Sequence, residues 1–198
     1  MRLLKPARLV GIILAISLSC ILGIFLLAFA ITKVEPAFKT IPPGFDGTAP
    51  IVGDLAPEFT LRDIDGKEYR FAEHLGKRPI VIEFGSFSCP LCTNQLGMMR
   101  RVAEKHKEAV DFVFIYCREA HATNAPAINS WKERKERACE VRKRLGSSMV
   151  ILVDEFDDRS VQKRYGALEN SGYVIDPEGR IARKLAIAQP MVLDKWFQ

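Results

Sequence analysis

The chain has 198 residues, of which 48% are hydrophobic, and a formal net charge of +5. This length indicates one domain with an appendage, and five cysteines are too few for a disulfide scaffold in a chain this long. The basic residues alternate with acidic ones and lack an aromatic stacking platform, so we expect no nucleic-acid partner.

The N-terminus predicts a membrane anchor. Residues 1–8 are basic, and residues 9–32 carry no charge and are long enough to cross a bilayer as a helix. A cleaved signal peptide is the alternative, since residues 28–30 (AFA) offer a cleavage site, but the apolar run is longer than usual for one. We therefore expect a retained single-pass helix. The preceding positive charges predict a cytoplasmic N-terminus and an extracytoplasmic domain, which is periplasmic if the source is bacterial.

A tether is expected between this helix and the folded domain. Residues 33–50 are rich in Pro and Gly, a composition typical of an extended segment without a core of its own. The domain is then expected to cover residues 51–198.

Within that domain the hydrophobic pattern predicts an α/β fold. Strands alternate with helices in the middle of the chain and end antiparallel, which indicates a mixed central sheet with helices on both faces. The predicted elements are a hairpin over 56–71, buried strands at 80–84, 111–117 and 149–153, helices from Cys92 to about 110 and over 129–145, a hairpin over 172–187 and a short helix at 194–197.

The domain is organised around the stretch PIVIEFGSFSCPLC at residues 79–92. An apolar strand, buried on both faces, breaks at Gly85, and Cys89 and Cys92 then begin a helix. Residues three apart in a helical turn can close a disulfide, and a helix N-terminus stabilises a thiolate at Cys89. Strand, turn, C-x-x-C and helix together make a thioredoxin-like redox motif, with Cys89 the solvent-reachable thiol and Cys92 the more buried one.

Two other interpretations of the cysteine pair stay open. A C-x-x-C can be half of a zinc site, which Cys117 and His121 could complete as a C-x-x-x-H pair. The two cysteines could also be inert structural residues. Cys117, at the end of a buried strand, and Cys139, on a helix edge, are expected to be redox bystanders.

Several segments resemble known redoxins. Residues 52–61 (VGDLAPEFTL), with DGK at 65–67, resemble the opening of peroxiredoxin-like and thiol–disulfide redoxins. Residues 84–90 (FGSFSCP) and 111–121 (DFVFIYCREAH) resemble the active-site segments of the iodothyronine deiodinase family. The YGA and YVI segments at 165–167 and 173–175 do so more weakly. The resemblance implies a thioredoxin fold, and an N-terminal anchor is also a feature of that family.

The resemblance implies roles for individual residues. Cys89 stands where deiodinases carry their catalytic selenocysteine, and Ser88 stands where they carry Thr. Glu119 and His121 match residues that the family uses near its substrate, and an imidazole there can deliver a proton to a leaving group. The chain also departs from the family, because Cys92 adds a second thiol. It departs from thioredoxins as well, because Asn170-Ser171 occupies the place of their cis-proline.

These features together predict a membrane-anchored thiol oxidoreductase. Cys89 attacks a disulfide or peroxide, and Cys92 then attacks the adduct and releases the product as a disulfide forms. No cofactor is expected beyond the cysteine pair, and an external thiol or a reductant protein would supply electrons. A reductive dehalogenase acting through Cys89 is one alternative, and a metal-binding module that uses Cys89 and Cys92 is the other.

Overall fold

The computed structural model describes residues 44–48, 50–119, 128, 130–156 and 160–198. The predicted anchor at 9–32, most of the predicted tether and His121 lie outside these ranges. Among the helices that are described, none is long and apolar enough to cross a membrane.

Within these residues, seven strands form one mixed sheet: β1 (Thr60–Asp63), β2 (Glu68–Arg70), β3 (Ile80–Gly85), β4 (Asp111–Tyr116), β5 (Val150–Val153), β6 (Gly172–Ile175) and β7 (Ile181–Leu185). The strands β3, β4 and β5 pair in parallel, and all other pairings are antiparallel. The order across the sheet is β2-β1-β5-β4-β3-β6-β7, which confirms the predicted architecture.

The helices begin and end where short sequence signals place them. The Ser130 side chain caps the second long helix by accepting from the Glu133 N–H at 3.2 Å, and Gly146 ends it with a φ of 71°. The last helix begins at Pro190, earlier than predicted, because a proline fits the first helical turn. The helices are α1 (Pro90–His106), α2 (Trp131–Leu145), α3 (Val161–Arg164) and α4 (Pro190–Trp196), with 3-10 turns at Phe45–Gly47 and Phe71–His74.

Two hydrophobic cores lie on opposite faces of the sheet. Val81 of β3 points into the core that includes Leu96 of α1 and Val141 of α2. Ile82 and its even-numbered neighbours point into the other core, which is rich in aromatic rings. Every residue of β3 is buried, as predicted for a strand covered on both sides. The strand that leads to Cys89 is therefore the centre of the fold.

The end of the predicted tether is part of the folded domain. Phe45 is 3% exposed and packs edge-on against Tyr173 at 6.5 Å between ring centroids. Lys184 Nζ donates to the carbonyls of Phe45 and Thr48, each at 2.7 Å. The tether was predicted to have no core of its own, and Phe45 within it packs into the aromatic-rich core of the domain. A single phenylalanine within a Pro/Gly-rich segment has no periodicity that would reveal its burial.

Candidate active site

Gly85 shapes the end of β3, where the active-site loop begins. A Cβ at this position would lie 2.6 Å from Cζ of Phe114 and 3.1 Å from Sγ of Cys92. The Gly85 carbonyl accepts hydrogen bonds from the N–H and the thiol of Cys117, at 2.9 and 3.3 Å. Glycine is required here because the Phe114 ring of the neighbouring strand and the Cys92 sulfur leave no room for a Cβ.

Cys89 and Cys92 differ in their surroundings. Cys89 is the N-cap of α1, and its sulfur accepts from the Cys92 N–H at 3.4 Å. Cys92 is fully buried and Cys89 is 4% exposed, so Cys89 is the more accessible thiol of the pair, although little of its surface reaches solvent. A hydrogen bond from the Cys92 thiol to Cys89, together with burial, raises the pKa of Cys92 well above its ordinary range. Cys92 therefore holds its proton, while Cys89 occupies the position that accepts hydrogen bonds.

Glu119 holds the loop before Cys89. Its Oε2 accepts from the Ser88 N–H at 2.8 Å, and its Oε1 accepts from the Tyr116 hydroxyl. The Tyr116 oxygen in turn accepts from the Phe87 N–H at 3.1 Å. Two consecutive N–H groups of the loop are thus bound by one tyrosine–carboxylate pair, so Ser88 and Glu119, two of the predicted site residues, are in contact. His121, the third residue implied by resemblance, is outside the described residues.

Glu83 is a site residue that the sequence analysis missed. It is fully buried in β3, and neither carboxyl oxygen has a hydrogen-bond partner. Burial and, next, the negative charge of Cys89 raise its pKa to about 8. The carboxyl is therefore protonated at neutral pH beneath the cysteine pair. A charged residue inside an otherwise apolar strand, IVIEFG, was the available signal, because such a charge is rarely buried without a role.

A second missed carboxyl, Glu169, lies in the turn before β6. Burial and the nearby charges of Cys89 and Glu119 raise its pKa to about 8. The next residue, Asn170, stands where thioredoxins have a cis-proline. It has a φ of 63°, it is fully buried, and its side-chain amide has no hydrogen-bond partner. The turn therefore adds the polar side chains of Glu169 and Asn170 to the site, and no sequence motif predicted them.

The described residues do not assemble a metal centre. Within the described ranges, no group of three or more His, Cys, Asp or Glu side chains is close enough to bind an ion. The Cys117 thiol donates to Gly85, and burial raises its pKa well above the ordinary value, so this sulfur stays protonated. His121, the other residue of the C-x-x-x-H pair, lies outside the described residues.

Comparison with known proteins places the chain among the redoxins. The type I iodothyronine deiodinase of Xenopus laevis is 31% identical over 142 residues, which are 67% of this chain and 56% of that protein. The thyroxine 5-deiodinase of Gallus gallus is 30% identical over an alignment that covers 64% of this chain and 53% of that protein. The chain thus spans about half the length of these curated relatives.

Solved structures show the same fold. The thioredoxin domain of a thiol-disulfide oxidoreductase from Bacteroides vulgatus superposes with a TM-score of 0.56 at 16% identity. The match covers 74% of this chain and 98% of the chain of that structure. This likeness confirms the predicted thioredoxin-like fold, and at this identity it shows the fold alone. The AhpC/TSA family matches residues 52–184. The chain therefore belongs to the AhpC/TSA family of redoxins, as a member similar to the iodothyronine deiodinases.

Proposed function

We propose that this protein is a thiol oxidoreductase in which Cys89 is the attacking thiol and Cys92 the resolving thiol. The observation that carries the proposal is the asymmetry of the pair. The Cys89 sulfur accepts a backbone hydrogen bond at the start of α1. The Cys92 thiol is fully buried, and its raised pKa keeps it protonated. A thiolate is stabilised at the first position and disfavoured at the second.

In this mechanism the Cys89 thiolate attacks a substrate disulfide or peroxide and forms a covalent adduct. Cys92 then attacks the Cys89 sulfur, which releases the second product and leaves a Cys89–Cys92 disulfide. For that step Cys92 must lose its proton inside the core, where water does not reach it. Glu83 is a buried carboxyl next to the pair, and with a pKa of about 8 the fraction of it that is ionised near neutral pH can take this proton.

The cellular setting is part of the proposal. Residues 9–32 would form a single helix that anchors the domain, with the basic residues 1–8 in the cytoplasm and the domain outside it. In that compartment the electrons would come from, or go to, a thiol or disulfide of a partner protein or a small thiol. We propose no bound cofactor, because the cysteine pair carries both electrons of the reaction.

A reductive dehalogenase is the second candidate. It is favoured by the similarity to deiodinases over two thirds of the chain and by the contact of Glu119 with Ser88, next to Cys89. In this reaction Cys89 would take the halogen, and an outside thiol could regenerate it. Cys92 would then not be required for turnover. A metal-binding module is less well supported, because no group of three or more His, Cys, Asp or Glu side chains among the described residues lies close enough to bind an ion.

Single serine substitutions separate these functions. In the first candidate Cys89→Ser abolishes turnover, and Cys92→Ser traps a mixed disulfide on Cys89, because the attacking sulfur survives and the resolving one does not. Trapped adducts are detected by non-reducing electrophoresis and by mass spectrometry. Cys139→Ser is the matched control, since this cysteine lies only partly buried on the edge of α2.

The opposite outcome would favour the dehalogenase. If Cys92→Ser keeps full turnover on an aryl iodide with excess thiol and traps no partner, the thiol–disulfide mechanism is wrong. Metal that copurifies in proportion to the protein, and is lost in the Cys89→Ser variant, would support the metal-binding module instead.

A further inference from the structure

The surface beside the cysteine pair contains an aromatic ring and two arginines. Phe87 lies in the active-site loop, two residues before Cys89, and its half-buried ring packs against the core beneath α1 and α2. The guanidinium carbons of Arg137 and Arg144 lie 5.9 and 5.7 Å from the centre of that ring. Two positive charges are therefore held at the loop that leads to the attacking sulfur.

Hydrogen bonds of the loop keep this ring close to Cys89. The Phe87 N–H donates to the Tyr116 hydroxyl at 3.1 Å, and the next N–H, that of Ser88, donates to Glu119 at 2.8 Å. Because two residues of extended chain span at most about 7 Å, the backbone of Phe87 lies within that distance of Cys89. The two arginines are therefore neighbours of the active-site loop and not of a remote part of the surface.

Both arginines are accessible and lack an acidic partner. They are about two helical turns apart on α2 and so lie on the same face of that helix, where Arg144 is exposed and Arg137 half-buried. Glu140 lies between them on this face, but its carboxylate binds Lys143 Nζ at 2.6 Å. Within the part of the chain that the structure describes, neither guanidinium forms an ion pair or a side-chain hydrogen bond. Both charges are therefore available to a binding partner.

Apolar groups and arginine together favour one kind of partner. Pro90, which follows Cys89, is exposed, and Leu91 is half-buried, so a chain that approaches the cysteine meets apolar groups at the start of α1. A guanidinium is planar and can donate two parallel hydrogen bonds to a carboxylate, which makes arginine well suited to binding Asp and Glu side chains. The surface therefore suits an extended segment that carries carboxylates.

We propose that Phe87, Arg137 and Arg144 form a docking surface for an acidic segment of the substrate protein, beside the disulfide that Cys89 attacks. The inference rests on the proposed role of Cys89. In the docked complex the carboxylates of the segment pair with the two guanidinium groups, and the substrate disulfide lies at the Cys89 sulfur. The docking contacts involve no covalent step, so they change how fast a substrate is captured and not the chemistry of the exchange.

This surface defines a class of substrate. An extended chain spans about 3.3 Å per residue, so an Asp or Glu about two to four residues from the substrate cysteine can reach a guanidinium. Along α2, seven basic residues outnumber three acidic ones, which extends the positive potential and speeds the encounter with an acidic partner. The proposed substrates are therefore protein disulfides flanked by carboxylates, and disulfides flanked by lysine or arginine are disfavoured.

The test measures how the reduced protein chooses between two peptide disulfides. Each peptide has one cysteine in a mixed disulfide with 2-mercaptoethanol, and the residues after the cysteine are aspartates in one peptide and serines in the other. The readout is the ratio of the two second-order rate constants, aspartate over serine. We expect the double variant Arg137→Gln, Arg144→Gln to lower this ratio by about tenfold, the effect of two surface ion pairs near the upper end of their usual strength. About 1 M salt should lower the native ratio in the same direction, because it screens exposed charges beyond about 3 Å. Arg137→Glu with Arg144→Glu should reverse the preference.

Controls separate the possible failures. Arg62→Gln with Lys67→Gln removes the same amount of charge from exposed positions of the β1–β2 hairpin, on the far side of β4 and β5 from β3, and should leave the ratio unchanged. An equal fall in this control would mean that net charge sets the preference, and would overturn the docking surface. The native ratio in both arginine double variants would also overturn it, and would leave the role of Cys89 intact. Reaction of Cys89→Ser with either peptide at the native rate would instead overturn the proposed function itself.

Discussion

The Oε2 atom of Glu119 lies 2.8 Å from the backbone nitrogen of Ser88, although 31 residues separate them in the chain. The link joins the end of β4 to the loop that ends β3, and so fixes the residue directly before Cys89. The resemblance to deiodinases implied a role for Glu119 near the substrate. Both oxygens of Glu119 accept hydrogen bonds within the protein, so we expect it to position the loop rather than to contact the substrate.

We expect Glu119→Ala to lower the free energy of unfolding by about 1–3 kcal/mol, because it leaves the Ser88 N–H and the Tyr116 hydroxyl without an acceptor. Denaturant titration measures this loss. Glu119→Gln keeps an oxygen for Ser88 and should lose less than half as much. Equal losses in both variants would mean that the negative charge, rather than the hydrogen bonds, stabilises the loop.

The sequence predicts the fold well because the signals are local. β3 is a continuous apolar run, α2 has a Ser cap and a terminal Gly, and the C-x-x-C lies at a strand-to-helix junction, so each element is recognisable within a few residues. The predicted helix after Cys92 ends at His106 rather than near 110, an ordinary boundary error.

The polar environment of the cysteines could not be predicted in the same way. Glu169 is 80 residues beyond Cys89 in the chain, and it comes near the cysteines only because β6, which follows it, pairs with β3. The burial of Phe45 likewise depends on Tyr173 and Lys184, which are distant in the chain. Contacts of this kind follow from the assembled sheet and not from a motif.

Gly85 should be intolerant of any side chain. Gly85→Ala would place a methyl group 2.6 Å from the Phe114 ring, in a core with little room to shift, so we expect a loss of about 1–3 kcal/mol in unfolding free energy. Gly97→Ala is the matched control. Its Cβ meets nothing within 4 Å and it lies inside α1, where alanine stabilises a helix by about 1 kcal/mol relative to glycine. Opposite signs for the two variants in urea titrations are the expected result.

The chain before residue 51 should contribute to the stability of the domain. Because Phe45 is buried against Tyr173, we expect a fragment of residues 44–198 to unfold at a higher temperature than one of residues 51–198. Phe45→Ala in the longer fragment should cost about 3 kcal/mol. Lys184→Met, which removes the donor to the Phe45 and Thr48 carbonyls, should cost about 1 kcal/mol. Identical melting of the two fragments would contradict the observed packing of Phe45.

The protonation of Glu83 should make stability depend on pH. Its folded-state pKa of about 8 lies above the ordinary value of 4.5, so the folded protein keeps a proton that the unfolded chain loses above pH 4.5. Stability is therefore expected to fall as pH rises from 4.5 to 8, and to level off above 8. At about 1.4 kcal/mol for each pKa unit, the total effect is on the order of 5 kcal/mol.

Glu83→Gln removes the titrating group and keeps a similar shape. Urea titrations at pH 5, 6, 7 and 8 should show that the native protein loses stability with rising pH more steeply than the variant, because Glu169 and other groups contribute equally to both. The two proteins should differ least at pH 5 and most at pH 8, where the variant is the more stable one. Parallel pH dependences would mean that Glu83 is ionised in the folded state, and would contradict its raised pKa.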